Sequence, residues 1–253
     1  MRIAYVLPGP LSLRHPGGQQ ELQRRQQILQ AWAAPGTTVV VHQSAEGPPS
    51  IESAYEEYLS LAQTAGLLHE LQDEGFDAAV IGCFGDPCLD ALYEVTERLV
   101  VVGPGDASFH LAAMIGQRFG VVTVDDGIVG PIRRQVAGSG LADRLAGVSV
   151  VRTPVLEMSD DLDELVERAS AGAQELVDRG ADTIVLGCMS MAFQDLGPLI
   201  EARVGVPVVN PVQAALMTAE GRARFGLRHS KLAYPLPRKI AAGASLADLY
   251  VRA

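Results

Sequence analysis

Two cysteines stand at matching points of this sequence. Cys83 follows the apolar run Ala78–Gly82 and Cys188 follows Thr183–Gly187, each directly after a glycine and 105 residues apart. In an open α/β sheet, ligands bind outside the carboxyl ends of the strands. A thiol there also faces the start of the next helix, where backbone N–H groups and the helix dipole favour an anion. Its pKa is then expected to move from about 8.5 toward neutrality, and the thiolate is the reactive form. The preceding glycine would let the backbone turn and a ligand come close. One such cysteine reads as a small buried hydrophobe, but a matched pair calls for more. Two facing thiols allow a disulfide, a shared metal or proton transfer from two sides. A zinc site needs further ligands at short spacing, whereas His15, His42, His69, His110 and His229 are scattered and no Cys-x-x-Cys occurs. Two-base proton transfer suits the pair best. A thiolate removes a proton from one face of a carbon and the opposite thiol returns one to the other face. No cofactor is required if that carbon neighbours a carbonyl whose enolate is stabilised by backbone N–H groups.

The elements that would position the thiols are legible as apolar runs alternating with helical patterns. Arg2–Leu7, Thr37–His42, Ala78–Gly82 and Leu99–Val102 read as buried strands, with helices over Glu21–Trp32 and Ile51–Gln72, the latter broken near Gly66. Asp86-Pro87 reads as a cap followed by proline at the first helical position. The pattern then restarts. Helices are expected over Ser108–Arg118, Ile128–Gly138, Ser159–Arg179 and Met191–Val204, and near the end over Leu216–Arg224 and Leu246–Val251. Strands are expected over Arg118–Val124, Val148–Arg152, Thr183–Gly187 and Val206–Val209. Unalternating apolar strands between helices imply an α/β fold with mostly parallel sheets. The restart implies two pseudo-symmetric Rossmann-like lobes with a cleft between them. The expected division is 1–104 and 105–211, with 212–253 packing back on the first lobe.

The chain has 253 residues, of which 48% are hydrophobic and 20% charged, as in an ordinary globular protein. Its formal charge of −10 argues against nucleic acid or an anionic membrane as the main partner, because phosphate binding needs clustered cations. No apolar run approaches the ~18 residues of a membrane span, and the run before Pro8 is too short for a signal-peptide core. Three cysteines make no disulfide framework, so free thiols and a cytoplasmic setting are expected.

The motifs Gly82-Cys83-Phe84-Gly85-Asp86-Pro87, Val185-Leu186-Gly187-Cys188 and Pro49-Ser50-Ile51-Glu52-Ser53, with Gly103-Pro-Gly-Asp-Ala-Ser108, resemble those of the Asp/Glu/hydantoin racemase superfamily over essentially the whole chain. The hydantoin and allantoin racemase branch is the most similar. Amino-acid racemases of the superfamily carry Asn-Thr after the first cysteine, where this chain has Phe84-Gly85, and arylmalonate decarboxylases keep only the second cysteine. The resemblance implies cofactor-independent racemisation of a 5-substituted hydantoin or allantoin, with Cys83 and Cys188 as the acid/base pair and a homo-oligomeric assembly. Three positions depart from the branch: Leu7-Pro8-Gly9-Pro10 replaces Asn-Pro-Asn, Met189-Ser190 replaces Ala-Gly, and Cys88 replaces a glycine.

Gly9, Phe84, Gly85, Asp86, Thr123, Met189 and Ser190 are the expected substrate contacts. Asp86 also fits a helix cap, Cys88 a spectator, and Pro10–Gln20 a lid. The other readings are a related carbanion enzyme (an amino-acid racemase, or a cis–trans isomerase or decarboxylase of a small dicarboxylic acid) and a small-molecule binding protein. A dicarboxylate would want cationic clamps, and arginines are expected to be sparse near either cysteine, which counts against that reading.

Overall fold

The computed structural model describes residues 1–14, 17–153, 155 and 161–246. Its first sheet contains β1 (Arg2–Leu7), β2 (Thr38–Gln43), β3 (Ala78–Ile81) and β4 (Val100–Val102), all parallel in the order β2-β1-β3-β4. The second contains β5 (Phe119–Thr123), β6 (Leu145–Val150), β7 (Thr183–Leu186) and β8 (Val208–Val209), all parallel in the equivalent order β6-β5-β7-β8. The expected α/β class and two-lobed repeat are thus present. β3 and β7 are buried at every residue, which is why they read as continuous apolar runs rather than alternating ones.

The helices are α1 (Leu11–Arg14), α2 (Gly18–Trp32), α3 (Ala54–Asp73), α4 (Leu89–Val95), α5 (Pro104–Ile115), α6 (Val129–Gly138), α7 (Leu162–Asp178), α8 (Met189–Phe193), α9 (Leu196–Val204), α10 (Pro211–Arg224) and α11 (Arg238–Ala241). The N-terminus of α3 is a capping box: Ser53 Oγ accepts from Glu56 N–H, and the Glu56 carboxylate accepts from Ser53 Oγ and Glu52 N–H. The helix runs unbroken through Gly66, because the apolar stripe Ala65, Leu68 and Leu71 stays buried on both sides of it. Of the expected start at Ser159, only Asp161 onward lies among the described residues. Asp161 caps α7 through Glu164 N–H at 2.9 Å. The expected helix over Leu246–Val251 lies outside them apart from Leu246, which is not helical.

Repeat-related contacts extend to single hydrogen bonds. Asp77 accepts from Arg2 N–H at 2.7 Å, and Asp182 accepts from Gln117 and Arg118 N–H at 2.8 and 3.1 Å. Two helices exchange places. α5 leaves the first sheet and packs on β5, β7 and β8, while α10 leaves the second and packs on β3 and β4, with α5 and α10 against each other. The central core is therefore shared: Tyr5, Phe84 and Phe109 meet Val121, Val185 and Ala215 in one cluster. Separate cores cover the outer faces of the two sheets. Beyond α10, the His229 ring stacks on Tyr93 at 3.6 Å, and Lys231 Nζ donates to Tyr93 and Glu94 carbonyls at 2.7 and 3.1 Å. This tail closes the exposed edge of β4 and the end of α4.

Candidate active site

Both strand-end cysteines open onto one cavity of about 370 Å³, within the range of small-molecule sites. Cys83 follows β3 and is half-buried, while Cys188 follows β7 and is buried. The glycines before them do not serve as left-handed turns, since neither has a positive φ. They are needed for close approach. A Cβ on Gly82 would stand 3.0 Å from Tyr5 Cε1 and the Val6 carbonyl, and one on Gly187 2.8 Å from Val121 Cγ1. Gly82 N–H donates to Val6 O and Gly187 N–H to Val122 O, both at 2.7 Å. The same local geometry therefore delivers both thiols.

Of the expected contacts, Gly9, Phe84, Gly85, Met189 and Ser190 line the cavity. Thr123 and Asp86 stand behind its wall. Thr123 is fully buried, and its hydroxyl donates to Gly187 O at 3.0 Å, bracing the turn before Cys188; its neighbour Val124 reaches the cavity instead. Asp86 does not cap the helix that follows it. α4 begins at Leu89 after Cys88, which adopts the left-handed conformation. The Asp86 carboxylate instead accepts from Gly105 and Asp106 N–H at 3.0 and 2.7 Å and from Gln135 Nε2 at 2.7 Å. It thus ties the turn after Cys83 to the start of α5 and to α6. The Asp86→Ala variant strands two N–H groups at a buried helix start, and is expected to lose about 2–3 kcal/mol of stability by denaturant unfolding. Burial pushes the Asp86 carboxyl from 3.8 up to about 7. A raised folded-state pKa means stability is lost as pH rises through that window, so the deficit of the alanine variant narrows from pH 4 to pH 8.

The thiols themselves depart from expectation. Burial pushes Cys83 well above the ordinary thiol range; the Gly85 N–H opposes this, while Glu57, Asp86 and Cys188 add to it. Burial also raises Cys188, against the Met191 and Ser190 N–H groups and the Arg25 guanidinium, with Glu52 adding to the rise. Backbone amides do reach the sulfurs, from the turn at Gly85 for Cys83 and from the start of α8 for Cys188, but desolvation outweighs them. The two sites are also unequal: a cation favours the Cys188 thiolate, whereas carboxyl groups oppose the Cys83 thiolate.

Sequence reasoning missed the charged groups of the cavity. α2 crosses from the first lobe to the second. Arg24 Nη1 donates to Phe193 O at 2.9 Å, Arg25 Nη2 donates to Ser190 Oγ at 3.2 Å, and the Arg25 guanidinium lies 4.8 Å from the Phe193 ring centre. Glu21 accepts from Arg24 Nε and Arg25 Nε, each at 2.7 Å. Burial works against the Glu21 charge, but the two guanidiniums hold its carboxyl below the ordinary range. The expectation that arginines are sparse near the thiols is therefore corrected. The available signal was Arg25 itself, a basic residue on the helical stripe of Leu22 and Leu29. Glu57 of α3 is the fourth charged side chain lining the cavity. No group of three or more His, Cys, Asp or Glu side chains suited to a metal occurs among the described residues.

A family model for Asp/Glu/hydantoin racemase matches residues 16–219. The chain belongs to this family. A hydantoin racemase from Pseudomonas sp. (strain NS671) is 36% identical over 80% of this chain and 81% of its own. The crystal structure of an allantoin racemase from Pseudomonas fluorescens covers 94% of this chain with a TM-score of 0.83 at 31% identity, and 97% of its own length is matched. An allantoin racemase from Klebsiella pneumoniae aligns over 94% of both chains with a TM-score of 0.81 at 28% identity. The family match spans both cysteines and all four charged cavity residues, as well as the exchanged helix α5 and most of α10.

Proposed function

We propose that this racemase inverts the stereocentre of a 5-substituted hydantoin or an allantoin-like ureide, with Cys83 and Cys188 as the two proton-transfer groups. The observation that carries the reading is the presence of both thiols on one cavity, at equivalent ends of two equivalent sheets. The carbon acid is held with one sulfur toward each face. The thiolate takes the proton, the electron pair passes into the adjacent carbonyl as an enolate, and the opposite thiol protonates the other face. The two sulfurs have then exchanged roles, ready for the other enantiomer. The carbonyl supplies the electron sink, so no cofactor is assigned to the reaction. The Gly85, Ser190 and Met191 N–H groups reach the sulfurs and would stabilise whichever is charged. Free thiols suit a cytoplasmic enzyme, and a homo-oligomer is the expected assembly.

Neutral cyclic amides are favoured over amino acids by the charge arrangement. Both cavity arginines are already engaged with Glu21 and with acceptors of the second lobe, so an α-carboxylate would have to displace an existing pair. The test is proton NMR in D2O with single enantiomers of several hydantoins, allantoin, aspartate and glutamate. The C5 proton signal of hydantoins or allantoin is expected to vanish faster than without enzyme, and the amino-acid signals to persist. Exchange of the amino acids alone, or of no compound, overturns the substrate assignment.

A further inference from the structure

Among the charged side chains lining the cavity, Glu57 is set apart. Glu21, Arg24 and Arg25 are bonded to one another and to the second lobe. The Glu57 carboxyl has no hydrogen bond or ion pair among the described residues, although it is half-buried. A half-buried carboxyl on a cavity wall keeps its acceptor oxygens available to a ligand. Burial holds this carboxyl above the ordinary range, opposed by the charge of Arg134 on α6.

Its position is specific. A Cβ built on Gly85 would lie 2.9 Å from Glu57 Oε1 and 3.9 Å from Cys83 Sγ. The absent side chain of Gly85 therefore lets the Glu57 carboxyl close on the turn that carries the Cys83 sulfur, and all three residues line the cavity. Hydantoins and allantoin carry a ring N–H donor, N1–H, next to the carbon that must meet the sulfur, and a second, N3–H, between the two carbonyls. A dicarboxylate has no such donor and would instead bring a carboxylate toward an unpaired carboxyl, with both arginines engaged.

We propose that Glu57 determines substrate specificity: its carboxylate accepts a hydrogen bond from a ring N–H of a cyclic ureide whose stereocentre lies against Cys83, and it repels a ligand that sets a carboxylate there in place of that N–H. The proposal rests on the racemase reading above and names the group that recognises the substrate class. Glu57 binds the ring; proton transfer stays with the thiols.

The experiment measures kcat and KM for one 5-substituted hydantoin and for its N1-methyl and N3-methyl derivatives, with the unaltered enzyme, Glu57→Gln and Glu57→Leu. Glu57→Leu is expected to raise KM for the parent hydantoin about ten- to hundred-fold, as for a lost hydrogen bond to a charged group, with the loss falling on KM more than on kcat. Glu57→Gln keeps an acceptor oxygen and is expected to lose less. Methylation of the N–H that faces Glu57 is expected to cost the unaltered enzyme a similar factor and to cost Glu57→Leu nothing further. Should the leucine variant fold poorly, as read by its thermal midpoint, the same comparison in the near-isosteric glutamine variant decides the question. KM within twofold of the unaltered enzyme in both variants overturns the proposal, as does a methylation penalty undiminished in the variants. A loss of kcat at constant KM also overturns it, because Glu57 would then act in the chemistry. Failure of the underlying reading looks different: the unaltered enzyme would exchange no C5 proton in any hydantoin or allantoin, and the proposal would fall with it before any variant is compared.

Discussion

Replacing Cys83 or Cys188 by alanine is expected to abolish racemisation, with kcat/KM falling by at least ~10³, at the upper end of what a positioned general acid or base contributes. Inversion needs a base on one face and an acid on the other, and neither thiol can reach both sides of a carbon held between β3 and β7. A sharper consequence concerns isotope exchange. An enzyme that keeps one sulfur can still remove a proton from the face it meets and return one to that same face. Each single variant should therefore retain slow deuterium uptake, with retention of configuration, for one enantiomer only, and the two variants should choose opposite enantiomers. Chiral chromatography and proton NMR on the same D2O samples separate exchange from inversion. Racemisation at the native rate in Cys83→Ala would remove Cys83 from the mechanism. Exchange of both enantiomers by both single variants would do the same for the two-sided arrangement. Cys88 supplies the control. It lies in the left-handed cap before α4 and does not line the cavity, so its alkylation or replacement should spare the reaction.

The sheets were legible in the sequence for a simple reason. Parallel strands covered on both faces leave unbroken apolar runs such as Ala78–Ile81 and Thr183–Leu186, and the Gly-Cys that ends each run marks the repeat. Those glycines serve strand packing rather than chain reversal, a distinction that depends on how close Tyr5 and Val121 come and so cannot be read from spacing. Asp86 misled for a related reason. Asp-Pro is the signature of a helix start, but its carboxylate bonds to amides 19 and 20 residues onward, a partnership that exists only once α5 has been placed. Arg24 and Arg25 sit in a helical stretch rich in glutamine and charge. Their partners Phe193 and Ser190 are 169 and 165 residues away, and only the docking of α2 on the second lobe joins them. Thiol acidity was misjudged because proximity to a helix start is a local property, whereas desolvation sums over everything packed around the sulfur.

If the two thiols carry the proton transfer as proposed, that desolvation sets the pH profile. A carbon acid held between two sulfurs reacts only when one is a thiolate and the other a thiol, and the first proton lost belongs to the pair as a whole. Burial raises both thiols, so the competent form is scarce at neutral pH. kcat/KM is expected to climb about tenfold per pH unit from pH 6 upward, continuing past the ~8.5 at which an ordinary thiol has titrated. Arg25 opposes the rise that burial and Glu52 impose on Cys188. Arg25→Met should then move the rising limb to still higher pH. Stability runs the other way. Groups whose folded-state pKa is raised contribute stability that is intact below their unfolded pKa and is lost as pH rises through the folded value. Cys83, Cys188 and the buried phenol of Tyr5, itself raised by burial, all have this sign. The thermal midpoint should accordingly fall above about pH 9, over the range in which initial rates still increase. Initial rates and thermal midpoints measured on the same buffers from pH 6 to pH 10 test both limbs together. A rate profile flat from pH 6 to 8 would mean that a thiolate is already formed at neutral pH, which the burial of these two sulfurs opposes.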